Sequence, residues 1–69
     1  MFFINDQVKV LEPVDGKRSV QFEKGVIIYI GRRALVQFDA NVLGHDGNGI
    51  GQKDKCWMCG FNEIETIGG

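Results

Sequence analysis

Apolar and polar positions alternate in short stretches along this chain. No stretch of ten residues carries the repeat of an amphipathic helix with caps at its ends. Over residues 7–11, Val8 and Val10 share one face, the period-two pattern of a half-buried strand. Gly25-Val26-Ile27-Ile28-Tyr29-Ile30 is β-branched and aromatic, and glycines bound it, which predicts a second strand. Arg32-Arg33 reads as a hairpin tip, and residues 34–38 return with Ala34, Val36 and Phe38 facing the core. Residues 56–59 predict a fourth strand, and residues 61–63 a tight turn or one turn of 3₁₀ helix. Residues 63–67 predict a last short strand. Pro13, Asp15-Gly16 and Lys17-Arg18-Ser19 mark a turn-rich link after the first strand. Residues 39–55 form a long polar loop with glycines at 44, 47, 49 and 51.

Five short strands, a central hairpin and a turn before the last strand predict an all-β domain spanning residues 1–69. The expected architecture is a small five-stranded SH3-like barrel with one long glycine-rich loop. A barrel closes its own edges, which suits so short a chain. Its core is thin, since a domain of this size rarely draws more than about 3–5 kcal/mol from one core. Monomer and homodimer both remain open.

Composition narrows the function classes. Hydrophobic residues are 43% and charged residues 25%, the balance of a globular domain. The net charge of −1 lacks the basic excess of a dedicated duplex binder. No apolar run approaches the roughly 20 residues of a membrane-spanning helix. The start Met1-Phe2-Phe3-Ile4 turns polar at Asn5-Asp6, unlike an export signal. With two cysteines, this leads us to expect a cytoplasmic chain. The closing Gly68-Gly69 reads as a frayed tail.

Residues 5–10, Asn-Asp-Gln-Val-Lys-Val, followed by residues 24–30, resemble a KOW-type motif of ribosomal proteins and NusG-like transcription factors. That likeness implies a barrel and a nucleic-acid partner. Residues 25–31, then Val36-Gln37-Phe38-Asp39, then Gly44-His45-Asp46-Gly47 and a returning strand with Cys56, follow the order of a CAP-Gly domain. That family binds acidic tails of cytoskeletal proteins through a Gly-Lys-Asn-Asp-Gly loop. Here His45 alone stands for the Lys-Asn pair. The combination of Gly44-His45-Asp46-Gly47-Asn48-Gly49 with Cys56-Trp57 is also similar to small uncharacterised bacterial and phage proteins. It implies a phage or bacterial inhibitor or adaptor that binds a larger protein.

The glycine-rich loop carries the strongest functional signal, because long loops in compact domains tend to be functional or disordered. Glycines permit positive φ and close approach of a ligand to the backbone. Successive free amides would form an anion-binding concavity, with His45, Lys53 and Lys55 adding charge. The alternative is a tight turn in which Asp46 and Asn48 bond neighbouring amides. Trp57 follows the loop directly, and Tyr29 falls opposite Ile28 and Ile30, so both are expected beside it as an aromatic groove. The predicted ligand-binding set is Gly44, His45, Asp46, Gly47, Asn48, Gly49, Lys53, Lys55, Trp57 and Tyr29, on a mobile arm. Lys17, Arg18, Arg32 and Arg33 are the alternative nucleic-acid contacts.

Cys56-Trp57-Met58-Cys59 is a lone C-x-x-C. Structural zinc takes four ligands, and no second pair exists, so no metal is assigned. Calcium takes six to eight oxygens, more than Asp39, Asp46, Asn48 and Asp54 offer. Cysteines three apart on a strand sit about 10 Å apart, too far for a disulfide. We expect one buried and one half-exposed thiol. A single histidine and no phosphate-loop or nucleophile motif leave no catalytic residues and no cofactor to assign. The expected activity is non-enzymatic protein binding, with KOW-like nucleic-acid binding and small-ligand or nucleotide binding as alternatives.

Overall fold

The computed structural model describes residues 1–67; Gly68 and Gly69, read above as a frayed tail, lie outside the described residues. The chain is all-β. Its strands are β1 (Gln7–Val10), β2 (Lys24–Ile30), β3 (Ala34–Phe38), β4 (Cys56–Cys59) and β5 (Ile64–Thr66). They form one antiparallel sheet in the order β4-β3-β2-β1-β5. Two 3₁₀ turns, Arg18–Val20 and Phe61–Glu63, interrupt the links. The second follows the expectation. The first, hidden in a polar stretch, exists because it delivers Val20 into the core.

Alternation sets the inner face. Val8 and Val10 of β1, Ile27 of β2, and Ala34, Val36 and Phe38 of β3 are buried together with Cys59 and Ile64. Loop residues Val14, Val20 and Val42 complete this core. Between Ile27↔Val36 and Tyr29↔Leu35 the register shifts by one residue at Ile28, a bulge that adds local twist. Gly25 lies inside β2 rather than bounding it, paired with Phe38.

From Cys59 to Ile64 the chain crosses from one sheet edge to the other through Gly60 and one 3₁₀ turn. That link reaches about 15 Å, whereas five flat strands would set the edges about 19 Å apart. The sheet therefore rolls. It does not close as the expected barrel does: among the described strands, β4 pairs with β3 alone and β5 with β1 alone. The outward edge of β4 is already taken at Cys56, which exchanges two backbone hydrogen bonds with His45. At the other end Gly60 turns inward, its amide donating to Glu63 Oε1 at 2.7 Å.

A Cβ on Gly25 would lie 2.5 Å from the Gln37 carbonyl oxygen and 2.9 Å from Phe38 Cα. Backbone cannot yield there as a flexible side chain does. Gly25→Ala is expected to cost about 1–3 kcal/mol, a fall in Tm of at least about 4 °C on thermal melting. An unchanged Tm would contradict the pairing of β2 with β3.

Candidate functional site on the outer face of the sheet

The parity that buries Ala34, Val36 and Phe38 turns Leu35 and Gln37 to the opposite side of β3. On β4, Trp57 and Cys59 face the core, so Cys56 and Met58 face outward. An outward face of a small antiparallel sheet is ordinarily solvated. Here Leu35 is 2% exposed and Cys56 fully buried. The glycine-rich loop covers them.

Glycine makes that contact possible at two points. Gly47, at φ 64°, lies so close to Leu35 that a Cβ would meet its Cδ2 at 2.5 Å. Gly51 lies over Cys56, where a Cβ would meet Sγ at 2.4 Å. Hydrogen bonds fix the seat. The Gln52 amide donates to Gln37 Oε1 at 2.9 Å, and the Gly51 amide to the Asp46 carbonyl at 2.8 Å. The Gly47 amide donates to His45 Nδ1 at 2.9 Å. Val42 plugs the inner core from the loop's other end, and Ser19 Oγ donates to its carbonyl.

The expected mobile arm is thus corrected to a wall bonded to the sheet. The anion concavity is reduced with it. The amides of Gly44, His45, Gly47, Ile50 and Gly51 have backbone or side-chain acceptors. Those of Asp46, Asn48 and Gly49 have none among the described residues.

Between wall and sheet a cavity of about 550 Å³ remains, lined by Tyr29, Leu35, His45, Asp46, Gly47, Asn48, Ile50 and Met58. Its volume is that of a small-ligand or side-chain pocket. Leu35 and Met58 form an apolar floor, and His45, Asp46 and Asn48 a polar rim. Tyr29 and Ile50, 49% and 55% exposed, stand at its mouth.

The ten predicted residues do not all meet there. Tyr29, His45, Asp46, Gly47 and Asn48 do. Gly44 lies against the Cys56 carbonyl at the β4 edge, and Gly49 has open space around it. Lys53 and Lys55 do not line the cavity; the Lys55 carbonyl accepts the Phe38 amide at 2.7 Å. Trp57 is on the other side of the sheet from Tyr29, packed on the inner core. The expected single aromatic groove is corrected accordingly, because neighbours along a strand face opposite ways. His45, at the edge of β4, touches both sides, its ring 5.4 Å from that of Trp57.

Leu35, Ile50 and Met58 were missed. Apolar residues on both parities of residues 34–38 and 56–59 signal two-sided burial, and Ile50 is an isolated β-branched residue in a polar loop.

The alternative basic set gathers elsewhere. Arg33 bonds Asp15 at 2.7 Å, joining the hairpin tip to the loop that carries Lys17 and Arg18. The Arg33 guanidinium holds the Asp15 carboxyl below its ordinary range. Lys17 lies with Nζ 4.6 Å from the Trp57 ring centroid, a cation–π contact. Arg18 and Arg32 are exposed.

Both thiols are buried, against the expectation of one half-exposed. Burial pushes Cys59 up to about 12, with Glu63 adding to the rise. Burial raises Cys56 as well, and its thiol donates to the Gln52 carbonyl at 3.5 Å. A thiol held protonated is a weak nucleophile. Among the described residues no three His, Cys, Asp or Glu side chains approach as metal ligands do.

Two outcomes follow. Native Cys56 and Cys59 should react with a thiol reagent only as fast as the chain opens. Gly51→Ala should accelerate Cys56 alone; equal acceleration of both would show that the loop is not what covers Cys56. For Cys59, the folded chain keeps its proton up to about 12 while the unfolded chain releases it near 9.0. The thiol's contribution is therefore complete below that window and lost as pH rises through it. Urea midpoints should fall from about pH 8 to about pH 10 more steeply in the native chain than in Cys59→Ala; parallel slopes would contradict the burial.

Comparison with family models, with curated proteins and with solved structures gave no match for this chain.

Proposed function

We propose that the chain is a non-enzymatic protein-binding module of SH3-like architecture, which seats an apolar side chain of a larger partner in the outer-face cavity. One observation carries the reading: a cavity floored by buried Leu35 and half-buried Met58 lies beneath a polar rim, with Tyr29 and Ile50 exposed at its mouth. Apolar centre and polar rim are the anatomy of a protein interface. A rim already tied to the sheet needs little ordering on binding, which favours affinity. The strand order and the 3₁₀ turn before β5 support the SH3-like assignment. The likeness of the glycine loop to bacterial and phage proteins supports an inhibitor or adaptor acting in the cytoplasm.

The chemistry of the other groups supports binding over catalysis. His45 spends Nδ1 on the Gly47 amide, and both thiols are held protonated. A nucleic-acid reading is favoured by one observation, the Asp15–Arg33 bond that brings the basic tips together. It is the second reading, because that bond also neutralises one of the four cations.

Tyr29→Ser with Ile50→Ser tests the proposal without touching the inner core. Bead-bound native chain should capture a partner from a lysate of the source cells, and the double variant should lose it at unchanged Tm. Phe22→Ser, 62% exposed and outside the cavity lining, should retain capture. Capture indifferent to Tyr29 and Ile50, or steeply salt-dependent binding of RNA or DNA instead, would overturn it.

A further inference from the structure

The edge of β4 beside the cavity is open at one residue. The Phe38 amide donates to the Lys55 carbonyl at 2.7 Å. Alternation from that pair sends the amide and carbonyl of Cys56 and Met58 outward, away from β3. Cys56 confirms the parity through its two bonds to His45. Met58 has no partner for either group among the described residues. The loop would have to supply Leu43 opposite Met58. Instead Leu43 turns away at φ 56°, its amide bonded to Asn41 Oδ1.

The groups around this gap are mostly donors. Met58 offers its amide. Trp57 Nε1 is buried with no acceptor among the described residues. His45 accepts at Nδ1, so its neutral ring carries the proton on Nε2, which has no partner among the described residues. Lys17 Nζ lies over the Trp57 ring and has no carboxylate in salt-bridge range among them. Trp57 Nε1 is the buried one, and buried donors without acceptors are rare in native folds; with the charge of Lys17 beside it, the cluster is complementary to an acceptor-rich, negatively charged segment.

We propose that an extended acidic segment of the partner protein adds as a strand to the β4 edge, exchanging backbone hydrogen bonds with Met58. This rests on the proposed function and names the partner's chemistry. Paired residues of antiparallel strands share a face, so the residue opposite Met58 sends its side chain toward the cavity and is apolar. Its neighbours point to the inner side, where an Asp or Glu meets Lys17. His45 already sits opposite Cys56, so the added segment leaves the edge after the residue opposite Trp57; a second copy in a Met58–Met58 pairing fits poorly, because it would carry Gly60 into the place His45 holds.

A random linear peptide library selected on the intact chain is the probe. Selected peptides should share an apolar residue flanked by Asp or Glu. N-methylation of that apolar residue's amide should weaken binding about tenfold, and methylation of the adjacent amide should not. Lys17→Met, which keeps the stem over Trp57, should weaken acidic peptides about tenfold. Exchange of the Met58 amide should slow on binding. No selected peptide, or peptides without acidic residues, overturns the inference. Binding blocked by Tyr29→Ser and Ile50→Ser yet blind to N-methylation and to Lys17 would overturn strand addition while leaving the cavity reading intact. Binding indifferent to Tyr29 and Ile50 would overturn both.

Discussion

Two glycine contacts set the character of this molecule: Gly47 on Leu35 and Gly51 on Cys56. A sheet this small has one face for a core and would ordinarily give the other to water. With no side chain at either position, the loop backbone descends onto that second face and bonds to Gln37 and to the edge of β4. The result is a sheet covered on both sides over β3 and β4. For a chain whose main core is thin, this second layer removes further apolar surface from water, at about 25 cal/mol per Å². It also leaves a hollow where wall and floor diverge.

The same arrangement decides the chemistry available. Cys56 and Cys59, three apart on a strand, lie on opposite faces and under different cover, one beneath the loop and one in the inner core. Each thiol is kept protonated by its own burial. Where the loop leaves β4, polar groups of Met58, His45 and Trp57 have no partner among the described residues. These groups adjoin the hollow at the β4 edge; the opposite edge strand, β5, pairs with β1 on one side alone.

Much of the fold was legible in the residues. All five strands were located: alternation in residues 7–11, 34–38 and 63–67, with Val8, Val10, Val36 and Phe38 leaving no other face for a core, and a β-branched run in residues 25–30; Phe61–Glu63 was readable as a turn. That the sheet stays open was not, because edge pairing depends on where His45 lands, a contact between distant residues that periodicity does not encode. The loop was recognised as unusual from its glycines, yet their use was misjudged. Positive φ and close approach serve a ligand or a neighbouring strand equally well, and only the positions of Leu35 and Cys56 distinguish the two. Tyr29 does stand beside the loop, but on the same side as Ile28 and not opposite it, because the bulge at Ile28 breaks the alternation; Trp57 was grouped with it by sequence proximity to the loop, although strand parity sends the two rings to opposite sides.

Amide hydrogen exchange in the free chain tests the central claim most directly, since protection reports local opening. If the loop is a wall, the amides of Gly47, Gly51 and Gln52 exchange as slowly as those of β3, while Asn48 and Gly49 exchange freely. Exchange of Gly47, Gly51 and Gln52 at the rate of an unstructured chain would show that the second face is bare, and the cavity would vanish with its wall.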